Sequence, residues 1–280
     1  MNHDALLLTA IQASIRAGLA TLEVYQSDLR VDYKEDRSPL TLADTRSHEI
    51  IVRHLASTRI PILSEEGKSL PYSERRTWQR LWIVDPLDGT KEFIKRLGEF
   101  TINIALVEQQ RPTLGVVYVP VKRVLYYGRL EEGAFRLVDP DALQELATGP
   151  PPEDPPAAIR RLKSRSAELP DDRSTHVPFV IVGSRSHATE ELHAFVEQKR
   201  REIGDVSFVS AGSSIKYCLV AEGRADIYPR LGPTMEWDTA AGQVIVEAAG
   251  ATMVRHDTGT PLAYNKEDLL NPWHVVTRKK

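Results

Sequence analysis

Cysteine is nearly absent. Cys218 is the only one in 280 residues, so no internal disulfide can form, as expected of a chain that works in a reducing compartment. Excess positive charge is missing as well. Lys and Arg number 36 against 39 Asp and Glu, for a net charge of −3, which gives no basic footprint for nonspecific nucleic-acid binding. No uninterrupted apolar run approaches the roughly 20 residues that span a bilayer. The opening MNHDALLLTAIQASIRAG contains Asp4 and follows helical spacing, and so reads as a helix and not as a secretory leader. There is no internal repeat, no P-loop and no Gly-rich nucleotide fingerprint. The expected location is the cytoplasm, with peripheral membrane attachment left open. What is present is ordinary for a soluble globular protein of one or two domains: 41% hydrophobic and 27% charged residues.

Chemistry concentrates in Trp82 to Phe93, WIVDPLDGTKEF. Leu81 to Val84 is a short apolar run that predicts a buried strand. It leads into Asp85-Pro86-Leu87-Asp88-Gly89-Thr90. Pro86 stiffens the loop and keeps Asp85 out of the helical region, and Gly89 permits a turn. Two carboxylates thus stand at the C-terminal end of a strand, where open α/β sheets bind ligands. Hard cations take such oxygen donors, although turn and cap aspartates are the commoner use of an isolated Asp-x-x-Asp. A second apolar strand, Ile60 to Leu63, ends at Ser64-Glu65-Glu66-Gly67. If the two strands are neighbours, their acidic loops converge.

Several further features fall in order along the chain. Leu7, Ile11, Ile15, Leu19 and Leu22 predict a first helix. Thr41 and Asp44 have capping-box spacing at the start of a second. From Phe100 to about residue 139 the runs FTINIALV, LGVVYV, RVLYYG and GAFRLV alternate between turns, predicting antiparallel sheet. Residues 140–176, with GPPPEDPP near their start, have the composition of a Pro-rich loop or linker between a half at 1–139 and a half at 177–280. In the second half the strand PFVIVG leads to Ser186 and His187, and a strand at Val206 to Val209 leads through Gly212-Ser213-Ser214 into a helix that Gly223 ends. A small-residue turn opening a helix suits an anion, with a plain Ser cap as the alternative. Arg230 follows a short strand, and Asp238 sits at the start of another helix.

WIVDPLDGTKEF resembles the signature of the inositol monophosphatase superfamily, and WDTAAG, from Trp237 to Gly242, resembles its second signature. Lys91-Glu92 and the segment GSSIKYCLVAEG, Gly212 to Gly223, look most like the bacterial 3'(2'),5'-bisphosphate nucleotidases. The resemblance covers the chain apart from 139–176. It implies an α/β (α+β) fold, a layered αβαβα sandwich, with the site between the halves. It implies a phosphatase that hydrolyses adenosine 3',5'-bisphosphate (PAP) to AMP and phosphate with two or three Mg²⁺ ions. The implied metal ligands are Glu65, Asp85, the Leu87 carbonyl, Asp88 and Asp238, with Thr90 aligning a water and Asp44 orienting Thr90. Asp88, Gly89, Thr90, Ser186, His187, Gly212, Ser213, Ser214, Lys216, Arg230 and Asp238 are the expected substrate contacts, and a small nucleoside bisphosphate is the expected partner. Two rivals stand beside this reading: an inositol- or sugar-phosphate phosphatase with the same site, and a catalytically silent nucleotide or metal sensor.

Overall fold

The computed structural model describes residues 2–26, 31–33, 39–172, 174–175, 177–184 and 189–279, with only the backbone path given for 31–33 and 39–41. A small antiparallel pair, β1 (Val31–Tyr33) and β2 (Pro39–Thr41), lies between α1 (His3–Gln26) and α2 (Leu42–Leu55). The larger sheet then runs in chain order through β3 (Ile62–Ser64), β4 (Arg80–Asp88), β5 (Thr101–Glu108), β6 (Arg111–Val119), β7 (Val124–Arg129), β8 (Gly133–Leu137) and β9 (Ala167–Glu168). The short helices α3 (Tyr72–Arg75) and α4 (Thr90–Ile94) flank β4. β3 and β4 pair in parallel, and each later neighbour pairs antiparallel. This is the meander that the alternating runs predict.

The 140–176 segment differs from the expected loop or linker. It carries α5 (Pro140–Thr148) and α6 (Pro155–Ser164), and β9 within it joins the larger sheet. Each helix begins with a proline directly after a capping aspartate. Asp139 Oδ1 accepts from the amides of Asp141 and Ala142, and Asp154 Oδ1 from that of Ala157. Proline at the first helical position forfeits no helical hydrogen bond and has its φ already set, so here it starts helices. Ala142, Leu143, Ile159 and Leu162 then pack with Leu8 and its neighbours on α1.

The smaller sheet has the order β11 (Val206–Ala211), β10 (Phe179–Ser184), β12 (Ile227–Arg230), β14 (His274–Thr277), β13 (Thr252–Arg255), and its helices are α7 (Glu190–Ile203), α8 (Ile215–Glu222) and α9 (Glu236–Ala248). Burial resolves five layers. Leu7, Ile11 and Ile15 of α1 and Ile51 of α2 pack on Trp82, Val84, Ile102 and Ile104 of the larger sheet. The opposite face of that sheet, with Leu81, Ile83 and Ala105, meets Cys218 of α8 and Ala241 and Ile245 of α9. The same two helices cover Val182, Met253 and Val276 of the smaller sheet. Leu192 and Val196 of α7 close the far side over Ile181, Val206 and Ile227. The order is αβαβα, as the resemblance implies.

Two glycines let the central helix layer seat closely. A Cβ on Gly115 of β6 would stand 2.7 Å from the Ala241 carbonyl, and one on Gly242 of α9 would stand 2.6 Å from the Tyr217 ring. The glycine of WDTAAG is therefore a packing requirement between α9 and α8. Among the described residues α1 alone is long and apolar enough to cross a membrane by composition, but 67% of its most apolar window is buried in the protein. Its apolar stripe serves the core.

Candidate active site

The carboxylates come together because β3 and β4 are parallel neighbours. Ser64 pairs with Val84, and the Glu65 amide donates to the Val84 carbonyl at 3.2 Å. Glu65 therefore leaves its strand beside Asp85. The β4–β5 register shifts between Asp85 and Asp88, where Pro86 has no amide to give the ladder. The freed loop is pinned instead by side chains: Asp85 Oδ1 accepts from the Leu87 amide at 3.0 Å, and Ser47 Oγ donates to the Pro86 carbonyl at 2.6 Å. The Leu87 side chain is buried with Val24, Ala43, Phe93 and Phe100, which leaves only its backbone to serve the site. Asp238 arrives from the other half, in the first turn of α9, and its Oδ2 accepts from the Met235 amide at 2.8 Å. The cap and the site role thus fall on one residue.

One carboxylate oxygen from each of Asp85, Asp88 and Asp238 lies within 4.8 Å of the other two. Burial, and then the charges of Glu65, Asp88, Asp238 and Asp44, push the Asp85 carboxyl well above its ordinary range. Burial and then Asp88 push Asp238 up to about 8, against the opposing hydrogen bond from Met235. Such mutual repulsion is what a bound cation reverses, and an all-oxygen donor set suits a hard divalent ion. The residues present fit a metal centre.

The acids open onto a cleft of about 250 Å³ between the halves. Glu65, Asp88, Gly89, Thr90 and Asp238 give it an acidic lining; Lys216 and Arg230 give it a basic one, with Ser213 and Tyr228. Gly89 has φ +96°, and a Cβ there would press on Ser213 and on Glu92 Oε2 at 3.2 and 3.3 Å. Gly212 meets the same wall: its amide donates to Glu99 Oε2 at 3.0 Å, and a Cβ would come within 2.7 Å of the Glu99 carbonyl. Glycine at both positions lets the two loops touch.

Individual side chains divide the expected roles differently from the sequence reading. Ser214 is fully buried and turns to the acids instead of the cleft. Its Oγ donates to Asp88 Oδ2 at 2.8 Å and accepts from Asn103 Nδ2 at 2.9 Å. This departs from the expected substrate contact, because Ser213 at φ +43° turns the chain so that consecutive serines face different ways. Lys216 lines the cleft, yet its Nζ donates to the Ser213 carbonyl at 2.5 Å and lies near that of Ala211 at 3.4 Å. Burial lowers its pKa to about 8, partly offset by Asp88. Arg230 Nη2 donates to the Pro233 carbonyl at 2.7 Å, while its buried Nε has no partner among the described residues. Asp44 is buried in α2, close enough for its charge to act on Asp85, and Thr90 opens α4. Ser186 and His187 lie outside the described residues.

Sequence reasoning missed several groups. Thr101 and Asn103 face Asp88 and Asp85 in the β4–β5 register, and Asn103 Nδ2 also reaches Asp88 Oδ2 at 3.3 Å. The available signal was a polar Asn inside the apolar run FTINIALV. Thr234, Tyr217 and Tyr228 line the cleft as well. Their placement depends on how the smaller sheet packs, and no local pattern announces it.

The profile of the Inositol monophosphatase family matches residues 2–277. The chain is 43% identical over 272 residues to the 3'(2'),5'-bisphosphate nucleotidase CysQ of Salmonella typhimurium, covering 95% of this chain and 97% of that protein. It is 42% identical over 272 residues to CysQ of Escherichia coli K12, with the same coverage of 95% and 97%. The crystal structure of CysQ from Bacteroides thetaiotaomicron, a bacterial member of the inositol monophosphatase family, superposes with a TM-score of 0.88 at 46% identity, covering 99% of this chain and 98% of that one. The suhB protein of Bartonella henselae, at 22% identity and a TM-score of 0.70 over 97% of this chain and 92% of that one, shares the fold.

Proposed function

The chain belongs to the inositol monophosphatase family, and from that premise we propose that it is a Mg²⁺-dependent 3'(2'),5'-bisphosphate nucleotidase that converts PAP to AMP and phosphate, with the sulfated parent PAPS as a further candidate substrate. The observation that carries the reading is one cleft lined both by members of a carboxylate cluster and by Arg230. A nucleoside bisphosphate has two anionic groups, one to be cleaved and one to be held, and such a cleft offers a station for each. The relatives named as nucleotidases support the substrate class.

In this reading Glu65, Asp85, Asp88, Asp238 and the Leu87 carbonyl would hold two or three Mg²⁺ ions, which would supply charge neutralisation, a water of lowered pKa and stabilisation of the leaving oxygen. Thr90, oriented by Asp44, accepts a hydrogen bond from the attacking water and aligns it with phosphorus. Ser214 and Asn103 keep the Asp88 carboxylate turned toward the cluster. Gly89 and Gly212 hold the two loops together at the cleft. Arg230 and Ser213 take the phosphate that is not cleaved, and Lys216 fixes the turn that presents Ser213. The single cysteine fits action in the cytoplasm.

The deciding experiment is phosphate release from PAP, PAPS, inositol phosphate and fructose 1,6-bisphosphate, each with and without Mg²⁺. Mg²⁺-dependent release fastest from PAP is the expected result. Faster release from inositol phosphate would turn the reading to a sugar- or inositol-phosphate phosphatase. Mg²⁺ binding without turnover on any of the four would leave the silent sensor.

A further inference from the structure

We propose that the irregular strap at 263–271 is a positioning device for the metal site: it sets where α9 begins, and thereby where Asp238 meets Asp85 and Asp88. This rests on the metal reading above. Glu236, the first residue of α9, is 0% exposed. Its carboxylate accepts from the Asn265 amide at 2.6 Å, the Lys266 amide at 3.0 Å and Lys266 Nζ at 2.5 Å. Asn271 Nδ2 donates to the Met235 carbonyl at 2.8 Å and to Thr239 Oγ1 at 2.9 Å, and its amide donates to the Thr234 carbonyl at 2.8 Å. Met235 also bridges Leu270. Every residue from Thr234 to Glu236 is therefore bonded to the strap, and Asp238 is in turn bonded to Met235.

The far side of the strap grips the larger sheet's half. Arg75, 3% exposed, donates through Nη1 to Asn265 Oδ1 at 3.0 Å and the Lys266 carbonyl at 2.9 Å, and through Nη2 to the Glu267 carbonyl at 3.1 Å. Asn265 Nδ2 answers with a bond to the Arg75 carbonyl at 2.8 Å. Arg75 Nε holds the Leu70 carbonyl at 3.2 Å, on the excursion that leads from Glu65 back to β4. The strap thus joins the arm carrying Glu65 to the helix carrying Asp238. Glu236, Asn265, Lys266 and Asn271 do not line the cleft, so contact with substrate does not account for them. The Glu236–Lys266 pair, with the Lys266 side chain 26% exposed, is weak evidence of a stabilising role, and the role inferred for it is to set register.

Lys266→Met leaves Glu236 buried without its cation, Lys266→Arg keeps the charge, and Asn271→Ser is a milder cut should Lys266→Met fail to fold. Tyr126→Phe, which removes a 2.6 Å bond to Glu222 between β7 and α8, controls for general destabilisation. Two quantities are measured: the rise in melting midpoint on adding Mg²⁺ without substrate, and the Mg²⁺ concentration for half-maximal phosphate release. Lys266→Met should need about tenfold more Mg²⁺ and show a smaller midpoint rise, as for residues that orient metal ligands. Asn271→Ser should move the same way by less. Lys266→Arg should recover most of the wild-type response, and Tyr126→Phe should melt lower with a normal Mg²⁺ response. Lower melting with an unchanged Mg²⁺ response in Lys266→Met and Asn271→Ser would overturn the inference and leave the strap a brace. A wild type whose melting ignores Mg²⁺ would remove the metal reading and the inference with it. Failure on PAP alone would remove only the substrate assignment, since the midpoint measurement uses no substrate.

Discussion

The two walls of the cleft are built on opposite plans. On the acidic wall the protein itself supplies hydrogen bonds: Leu87 to Asp85, Ser214 and Asn103 to Asp88, and Met235 to Asp238. On the basic wall Arg230 Nε, Ser213 Oγ and Thr234 Oγ1 are buried with no partner among the described residues. Buried polar atoms are normally paired, and among the described residues Asn103 Oδ1 on the acidic side is unpaired as well. The acidic wall is aimed in advance and crowded with like charge; the basic wall makes fewer of the bonds its polar atoms could make. In the proposed reading a metal would relieve the first and a phosphate ester would complete the second.

The acidic plan breaks most sharply at Asp85. Asp85→Asn keeps the side chain's shape and its bond from Leu87 while removing the negative charge. Turnover should fall by several powers of ten. Because burial, and then repulsion from the neighbouring carboxylates, pushes this carboxyl well above its ordinary range, the metal-free variant should melt no lower than the metal-free wild type. Near-normal phosphate release, or a clearly lower metal-free midpoint, would contradict the plan.

A weaker break separates the two cations of the basic wall. Arg230→Met should lower kcat/KM for PAP by about 10- to 100-fold, the range of a lost charge-assisted contact, and hardly affect 3'-AMP, which lacks the second phosphate. Lys216→Met should lower both substrates together, because its ammonium holds the turn carbonyls of Ser213 and Ala211. Kinetics on the two substrates in both variants would show the contrast. Equal losses for Arg230→Met would place that residue in service of the fold or the reacting centre.

Ser214 sharpens the comparison from the acidic side. If its hydroxyl aims Asp88, Ser214→Ala should raise the Mg²⁺ requirement roughly tenfold, as when the partner of a metal ligand is lost. The KM for PAP at saturating Mg²⁺ should stay close to wild type. A raised KM with an unchanged Mg²⁺ requirement would return Ser214 to the substrate.

How legible this was depends on the range of the signal. Asp85, Pro86, Asp88 and Gly89 lie in one run, and a strand ending in a stiff acidic loop can be read locally. The acidic loop at Glu65 needed only the guess that two apolar strands are neighbours, which the β3–β4 pairing bears out, while the choice of Glu65 over Glu66 came from the family resemblance. Asp238 was legible through the WDTAAG signature alone, since a helix-start aspartate is ordinarily a cap. Ser214 was misdirected because a serine's aim in a tight turn follows the φ of its neighbour, and residue type does not encode that angle. Asn103 was passed over because its value comes from cross-strand register. In 140–176 the count of prolines outweighed the Asp-Pro pairs that start α5 and α6.

The smallest expected effect lies behind the basic wall. His274 is buried at the start of β14, and Tyr217, which lines the cleft, reaches its Nε2 from the hydroxyl at 2.9 Å. Nδ1 lies 3.2 Å from the Pro272 carbonyl, so the neutral ring donates through Nδ1 and accepts through Nε2. Burial lowers its pKa to about 4, the Pro272 bond opposes this, and the charge of Arg230 lowers it further. The folded state therefore binds fewer protons here than the unfolded chain, whose imidazole titrates near its ordinary value of about 6.5. The contribution is complete above that value and declines as pH falls toward 4, by up to about 1.4 kcal/mol per pH unit. Denaturant melts of the wild type and His274→Gln between pH 7 and 4 would expose the term, because the variant keeps a hydrogen-bonding side chain without a titrating group. Its slope over that range should be shallower than the wild type's. Equal slopes would mean that the acid sensitivity of the fold arises elsewhere, and that Arg230 exerts no measurable field on the ring behind it.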